Sequence, residues 1–222
     1  MRPDAVEEGH EVDLTDHRVS YEAQRLDIDA LLDDPIDQFE VWFADAEASG
    51  DPEPYAMVVS TVDADGKPRG RNVLLRSADE RGFVFYTNYT SAKARAIDAT
   101  GLAALTFRWF DVHRQVHIEG RVERVDEDES DAYFAKRPRE SQLGAWASDQ
   151  SAVIEGSQVL QQRLADMGAR FEGTDVPRPD FWGGYRVIPD VIEFWQGQPS
   201  RLHDRVRYSL HGTGWIRETL SP

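Results

Sequence analysis

Five closely spaced runs of apolar, β-branched and aromatic residues in the middle of the chain constrain its fold more than any other feature. Turn-forming residues separate these runs, and Asp63–Gly66 has the composition of a tight hairpin turn. Strands this short and this close in sequence pair antiparallel, so we predict a β-rich α+β domain with a barrel-like antiparallel sheet and flanking helices. The predicted strands are Ala56–Val62, Gly70–Arg76, Phe83–Thr87, Leu102–Trp109 and Gln115–Val125.

Helix signals lie on both sides of the strands and between them. Asp34 is a suitable N-cap and Pro35 a suitable first residue of a helix that precedes the first strand. A short helix is predicted over Ser91–Ala99, with Ser91 as its N-cap. Another is predicted after Asp126–Glu129, which resembles a capping box.

The C-terminal part is predicted to hold one more helix and several strands. An i, i+4, i+7, i+11 stripe predicts the helix and consists of Leu160, Leu164, Met167 and Phe171. Residues 139–151 are predicted to form a loop. Strands are predicted around Tyr185–Val187 and Val191–Trp195, before a final strand pair that ends near Ile216. Trp182–Gly184 is interpreted as a packing element with a tight backbone turn.

The composition indicates a globular protein with an N-terminal arm. Residues 1–17 are acidic and aperiodic and are predicted to be a mobile arm, and residues 18–222 are predicted to form one domain. The first residues lack the apolar run of a signal peptide, and no segment is long and apolar enough to cross a membrane. The chain has no cysteine, which excludes disulfides and thiolate chemistry. We therefore predict a cytoplasmic protein without a membrane partner.

A strongly acidic charge balance narrows the range of partners. The net charge of -16 disfavours non-specific binding to nucleic acid, because the polyanion repels the chain. Only three of the 25 basic residues are lysine, namely Lys67, Lys93 and Lys136. An acidic, lysine-poor surface indicates either salt tolerance or a GC-rich genome, and composition does not separate these explanations.

Three groups of residues have the chemistry of anion sites. Arg71 and Arg76 bracket an apolar strand and, five residues apart, point to opposite faces, where they could bind two anionic groups or simply be solvated. The segment from Tyr86 to Lys93 leads a strand into a helix N-terminus with hydroxyls and a lysine. Such a corner is either a phosphate site or an ordinary serine cap. Tyr133, Arg137 and Ser141 could form a cup of donors around a second phosphate.

The C-terminal stretch combines tryptophan, arginine and histidine in Phe181–Arg186, Ile192–Gly197 and Arg201–Arg205. This mixture suits a site that binds a flat, anionic, aromatic ligand. If the last segment is extended, Arg201, His203 and Arg205 project to one face, where three cationic groups need partners. The six histidines show no metal-binding spacing, so no metal site is predicted.

Taken together, these segments resemble the pyridoxine/pyridoxamine 5′-phosphate oxidase family. The resemblance covers nearly the whole chain, from Arg18 and Tyr21 to Leu220–Pro222, and is most specific in Arg137–Trp146, Phe181–Tyr185 and the C-terminal motifs. It implies a split β-barrel that binds FMN at a homodimer interface. It also implies oxidation of pyridoxine or pyridoxamine 5′-phosphate to pyridoxal 5′-phosphate, with O2 as acceptor and H2O2 as product.

The resemblance also implies roles for individual residues. The substrate phosphate would be bound by Arg76, Tyr133, Arg137 and Ser141. Arg201 and His203 would cover the substrate ring and act as the catalytic residues, and Arg18 and Tyr21 would form a mobile lid. FMN would be held by Arg71, Asn72, Val73, Leu74, Leu75, Arg76, Tyr86, Thr87, Lys93, Gln115, Gln150, Ser151, Trp195 and Arg205.

Two positions depart from the family pattern, and two other functions fit the same fold. Arg76 stands where lysine is common, and Ala92 stands where many members have arginine. One alternative is a flavin oxidase of the phenazine-pathway type that acts on another reduced ring. The other is a non-catalytic flavin-binding protein. The donor cup at Tyr133, Arg137 and Ser141 argues against the first, because an unphosphorylated substrate has no use for it.

Overall fold

A computed structural model describes residues 15–16, 21 and 25–222 of the chain. The predicted division at residues 17 and 18 stays a prediction, since most of the first 24 residues lie outside the described part. The described helices are α1 (Pro35–Ala48), α2 (Ala92–Thr100), α3 (Glu127–Ala135), α4 (Arg139–Ala147) and α5 (Ser157–Arg170). The described strands are β1 (Ala56–Val62), β2 (Pro68–Leu74), β3 (Ser77–Asp79), β4 (Gly82–Asn88), β5 (Leu102–Trp109), β6 (Arg114–Arg124), β7 (Trp182–Gln196), β8 (Asp204–His211) and β9 (Gly214–Thr219).

The strands form one antiparallel sheet that curls into a half-barrel. The order is β2-β1-β5-β6-β7-β4-β3, and β8 and β9 continue from β7. β7 pairs with β6 from Tyr185 to Gln196, while its other edge is shared by β4 near its start and β8 near its end. After β2, the N–H of Leu75 donates to the carbonyl of Tyr55 before β1, and the N–H of Arg76 donates to the carbonyl of Val84 in β4. The predicted antiparallel split barrel with flanking helices is therefore confirmed.

The inner face of the sheet and helix α1 form the main core. Asp34 caps α1 by accepting the amide N–H of Ile36 at 2.7 Å, as predicted. The Phe39 ring lies 5.0 Å from both Phe83 and Phe107, so it closes the open side of the half-barrel. Trp42 on the same helix is also buried.

Helix α4 occupies the segment that was predicted to be a loop. The helix was not predicted because Gly144 disfavours a helix and the N-cap residue, Pro138, makes no side-chain hydrogen bond. Tertiary contacts stabilise it: Leu143 is buried, and Arg139 at its start donates hydrogen bonds to the carbonyls of Phe171 and Thr174.

β7 is one continuous strand where two were predicted. Pro189, which has no N–H to donate, lies opposite Gly120 at an irregularity in the β6–β7 pairing, so it does not end the strand. The turn predicted at Trp182–Gly184 is also wrong. Gly183 and Gly184 lie inside β7, and an added Cβ would meet Tyr89 or Tyr86, so only the predicted packing role is confirmed.

The structure differs from three further predictions. Asp126 is the N-cap of α3 but makes no side-chain cap bond, so the predicted capping box is not formed. The stripe on α5 is buried only at its end, because Leu160 and Leu164 are exposed while Phe171 is buried. Arg201 lies in a short 3₁₀ turn with φ of 62°, so the segment from Arg201 to Arg205 is not extended throughout. No helix in the described part is long and apolar enough to span a membrane.

Gly120→Ala should destabilise the fold, because its Cβ would lie 2.0 Å from the carbonyl oxygen of Ile188, a backbone atom that has little freedom to move. We expect a loss of about 2 kcal/mol in the free energy of unfolding, measured by chemical denaturation. Gly168→Ala is the control: Gly168 lies in α5 with open space around it, and alanine there should add about 0.5–1 kcal/mol. Equal effects of the two substitutions would contradict this explanation.

Candidate active site

The corner between β4 and α2 is built as predicted for an anion site. Ser91 caps α2, and its Oγ accepts the N–H of Ala94 at 3.3 Å. The Nζ of Lys93 donates to Thr87 Oγ1 at 3.0 Å and to Gln150 Oε1 at 2.7 Å. Ser151 Oγ accepts the N–H of Ala92 at 3.1 Å. The loop after α4 therefore closes over the start of α2, which brings Gln150 and Ser151 to Thr87 and Lys93.

Two cations at this corner, the buried Lys93 and the half-buried Arg71, lack acidic partners among the described residues. Lys93 is buried, and burial, assisted by the nearby Arg71 cation, lowers its pKa to about 8. Arg71 donates to the carbonyl of Val59 at 3.0 Å and to Thr61 Oγ1 at 2.9 Å. No ion pair between either cation and a carboxylate is present in the described part of the chain. Uncompensated cations beside a helix N-terminus favour a bound anion.

Tyr133 and Arg137, two members of the predicted phosphate cup, lie where α3 meets β4 and β7. The rings of Tyr133 and Tyr86 stack at 4.0 Å, and the Arg137 guanidinium lies 4.6 Å from the Trp182 ring centre. Arg137 Nη1 is buried and has no hydrogen-bond partner in the protein. Burial lowers the pKa of Arg137, and the nearby Arg76 lowers it further. Two neighbouring guanidinium groups with a free buried donor indicate a second anion site.

The other residues predicted to contact a phosphate or FMN in this region are Ser141 and those of the segment from Asn72 to Arg76. Ser141 lies in the first turn of α4. Arg76 is exposed, and its guanidinium lies 5.7 Å from the ring centre of Tyr55. Val73 and Leu75 pack against the core, so they offer a ligand mainly their backbone, whereas Asn72 is exposed and Leu74 is half-buried.

A third group lies on the outer face of the sheet. The strand registers place Gln115, Trp195 and Arg205 opposite one another on β6, β7 and β8. The His203 ring lies 4.5 Å from Trp195, and the Tyr21 ring lies 5.9 Å from His203. These side chains form an aromatic wall at the end of β7, as expected for contact with a flat ligand.

Hydrogen bonds set the chemistry of this aromatic wall. His203 Nδ1 accepts the N–H of Gln198 at 3.1 Å, so in the neutral ring the proton is on Nε2. Burial and the neighbouring Arg201 lower the pKa of His203. Arg205 forms a two-pronged ion pair with Glu193 at 2.8 and 3.0 Å. Nε2–H of His203 is therefore the donor available to a ligand, while the Arg205 charge is already shared with Glu193.

The wall and the two anion sites do not meet within one chain. Thr87 pairs with Gly183 near the start of β7, whereas Gln115 pairs with Trp195 near its end. Twelve residues separate Gly183 from Trp195, which is roughly 40 Å along an extended strand. The structure thus places the two anion sites towards the start of β7 and the wall at its end. Arg18 lies outside the described residues.

Sequence reasoning missed two residues next to the wall. Arg108 lies opposite Gln115 in the β5–β6 register, and its guanidinium is 5.6 Å from the Trp195 ring centre. The ring of His113 lies 4.6 Å from that of Tyr21. Strand alternation places Arg108 on the same face as Gln115 once the hairpin register is known, whereas no local pattern predicts the His113 contact. Within the described residues, no group of three or more potential ligands could hold a metal ion.

Comparison with known proteins identifies the family. The profile of pyridoxamine 5′-phosphate oxidase matches residues 45–170, and that of the pyridoxine 5′-phosphate oxidase C-terminal dimerisation region matches residues 182–222. The chain belongs to the pyridoxine/pyridoxamine 5′-phosphate oxidase family. Proteins named pyridoxine/pyridoxamine 5′-phosphate oxidase from Rubrobacter xylanophilus and Gloeothece citriformis are 54% and 52% identical to it. These matches cover 97% and 94% of this chain and 99% and 98% of the relatives.

Solved structures confirm the family fold. PhzG from Burkholderia lata 383, solved in complex with tetrahydrophenazine-1-carboxylic acid, has a TM-score of 0.85 and 31% identity. The match covers 92% of this chain and all of that one. A pyridoxamine 5′-phosphate oxidase-related, FMN-binding protein from Nostoc punctiforme has a TM-score of 0.66 at 16% identity, covers 83% of this chain and 97% of its own, and supports the fold alone.

Lys93→Met should stabilise the ligand-free protein at neutral pH, because it removes a buried charge without an acidic partner. The folded-state pKa of Lys93 is about 8 and the ordinary value is 10.5, so the unfolded chain binds more protons between these pH values. The destabilisation caused by the buried Lys93 charge is complete below pH 8 and disappears as the pH rises towards 10.5. We expect the variant to exceed the wild type by roughly 2 kcal/mol at pH 7 and by much less at pH 10, measured by denaturant unfolding.

Lys136→Met is the control for this experiment. Lys136 is the exposed C-cap residue of α3, and its removal should leave the pH dependence of unfolding unchanged. A pH-independent difference between Lys93→Met and the wild type would show that Lys93 carries no buried charge.

Proposed function

We propose that this protein is an FMN-dependent oxidase that converts pyridoxine or pyridoxamine 5′-phosphate to pyridoxal 5′-phosphate, reducing O2 to H2O2. The observation that carries the proposal is the second anion site, where the half-buried Arg137 retains a buried, unpartnered Nη1 near Arg76. A flavin phosphate needs one such site, and a phosphorylated substrate needs the other. Identity of 54% to a named pyridoxine/pyridoxamine 5′-phosphate oxidase over nearly the full length supports the same reaction.

The residues of the β4–α2 corner fit the phosphate of FMN. Lys93 and Arg71 supply two positive charges without acidic partners, and the positive end of the α2 dipole also favours an anion. Gln115, Trp195 and Arg205 offer an amide, a large ring and a guanidinium on one face for the isoalloxazine ring. FMN, when bound, supplies the redox chemistry by accepting a hydride from C4′ of the substrate and passing the electrons to O2.

The protein's part in the reaction is to hold and orient the substrate. Arg76, Arg137, Tyr133 and Ser141 bind the phosphate group, which fixes one end of the molecule. Arg201 and the Nε2–H of His203 lie beside the ring, where they stabilise negative charge on its O3′ oxygen. Tyr21 covers the wall formed by Trp195 and His203, and this position supports the proposed role of its segment as a lid.

Two protomers are needed to complete one site in this proposal. The β4–α2 corner and the wall lie at opposite ends of β7, which is too far for one flavin to reach within a single chain. A homodimer in which the wall of one protomer faces the corner of the other satisfies both groups. The match of residues 182–222 to a C-terminal dimerisation region supports this arrangement, since Trp195, His203 and Arg205 all lie in it.

The two departures from the family pattern are compatible with this function. Arg76 keeps the positive charge, and its planar guanidinium can bind a phosphate through two hydrogen bonds. Ala92 adds no cation, but its N–H is engaged by Ser151, which ties the closing loop to the flavin corner. The FMN phosphate charge is therefore balanced by Arg71 and Lys93 in our proposal.

The similarity to PhzG makes oxidation of another reduced ring the second candidate. A phenazine-type substrate without a phosphate would leave Arg76 and Arg137 with two neighbouring charges and no anion. The buried Nη1 of Arg137 would then stay unsatisfied. This cost favours the phosphorylated substrate.

The direct test is oxidase activity of the purified protein. We expect a yellow protein with one FMN per chain that releases H2O2 with pyridoxine 5′-phosphate and much less with unphosphorylated pyridoxine. Arg201→Met should remain yellow and lose most of its turnover, because the ring is then poorly oriented. A colourless protein, or one that forms no peroxide from the phosphorylated substrate, would refute the proposed function.

A mixed dimer tests whether the site is shared between protomers. Lys93→Met damages the corner and Trp195→Ala damages the wall, so each homodimer should bind FMN poorly and have little activity. In the heterodimer of the two variants, one site receives both damaged halves and the other receives none. We expect one FMN and about half of the wild-type activity per heterodimer, measured after purification with two tags. If each site lay within one chain, the heterodimer would be as inactive as its parents.

A further inference from the structure

Helix α3 carries part of the phosphate cup but has few apolar contacts with the barrel. Its only buried residues are Ser130 and Phe134. Tyr133 projects from it to stack on Tyr86, and Arg137 follows directly after its end. Because the apolar area that α3 buries is small, polar contacts must contribute much of what fixes its position.

An ion-pair cluster holds the first turn of α3 against β7. Arg186 on β7 is buried, and its Nη2 donates to both carboxylate oxygens of Glu129 at 3.1 and 3.3 Å. Its Nη1 donates to Asp79 on β3 at 3.1 Å. Arg81 also lies 3.8 Å from Glu129, but at the surface. Arg186 thus joins α3 to two strands of the barrel, and a single carboxylate makes the connection on the helix side.

The geometry connects this cluster to the cup. Glu129 and Tyr133 are four residues apart on α3 and therefore share one face of the helix. Gly184 lies two residues before Arg186 on the same face of β7, and a Cβ there would come within 2.9 Å of the Tyr86 ring. The absence of that Cβ lets Tyr86 lie close to the strand, where Tyr133 stacks on it. Burial raises the pKa of Tyr86 to about 12, and the negative charge of Glu129 contributes to this shift.

We propose that Glu129 and Arg186 are positioning residues for the substrate phosphate: their ion pair sets the position of α3 and thereby aligns Tyr133 and Arg137 with Arg76. This inference rests on the proposed function. It adds two residues that position the phosphate-binding side chains without contacting the ligand themselves. Without the pair, α3 keeps its apolar contacts, the hydrogen bond from the Gly184 N–H to Ser130 Oγ and the Arg178–Asp131 ion pair. It loses the ion pair on the helix face that carries Tyr133, and we infer that this pair sets how close Tyr133 and Arg137 come to Arg76.

The test compares Glu129→Gln with Asp128→Asn in the FMN-loaded enzyme. Both substitutions remove one negative charge from the first turn of α3, but Asp128 is exposed and is not part of the cluster. We expect KM for pyridoxine 5′-phosphate to rise about tenfold in Glu129→Gln, with kcat within about twofold and the FMN dissociation constant unchanged. Activity with unphosphorylated pyridoxine should not change. A general loss of stability would instead lower the activity with both substrates. Asp128→Asn should behave as the wild type.

A second variant and a binding measurement complete the test. Arg186→Lys keeps the charge but cannot reach both carboxylates with a planar fork, so it should raise KM in the same way if Glu129→Gln does not fold. Affinity for pyridoxal 5′-phosphate, followed by tryptophan fluorescence, reports on the cup without turnover. Equal affinities of Glu129→Gln and Asp128→Asn, or equal losses with phosphorylated and unphosphorylated substrates, would overturn the inference. Absence of peroxide from the wild type would instead overturn the proposed function.

Discussion

The length and pairing of β7 are the constraint on which the rest of the structure depends. The strand pairs with β6 along one edge, while β4 and β8 divide the other edge between them. The half-barrel and the C-terminal strand pair are therefore parts of one continuous sheet. The same pairing places the β4–α2 corner and the aromatic wall at opposite ends of the strand. A site that needs both groups can be completed only by a second copy, so the dimer that we propose follows from the sheet.

Buried positive charge is the second organising feature of the site. Lys93, Arg71 and Arg137 are partly or fully removed from water, and burial lowers the pKa of each. In the described part of the chain none of them has a carboxylate partner, although the protein is strongly acidic overall. Burying cations without partners costs folding free energy. The binding of two phosphate groups would compensate this cost, which links the stability of the ligand-free protein to the function that we propose.

Paired charges serve a different purpose in this protein. Arg186 is more buried than Arg71 and Arg137, but Asp79 and Glu129 satisfy it. Its place between β7 and α3 makes it a structural connection, in contrast to the free donor of Arg137 nearby. Carboxylate partners thus hold Arg186 in place, whereas Arg137 keeps a donor that a ligand could use.

Local patterns in the sequence determined most of the elements of this fold. The cap at Asp34, the cap at Ser91 and the hairpin turn at Asp63–Gly66 depend on neighbouring residues, and all three were predicted correctly. Helix α4 was missed because contacts with distant residues stabilise it, and these outweigh Gly144 and the lack of a side-chain cap. The continuity of β7 through Pro189 was missed for the same kind of reason, since it depends on the pairing with β6.

The sequence by itself determined which residue types are available to the site, namely the cations, hydroxyls and rings of the resembling motifs. Only the tertiary structure decided how they are grouped, because strand register and burial are properties of the whole sheet. It separated the corner from the wall, joined Gln150 to Lys93, placed Arg108 beside Trp195 and engaged Arg205 with Glu193. These contacts join residues far apart in the chain, and no local pattern specifies a contact between distant segments.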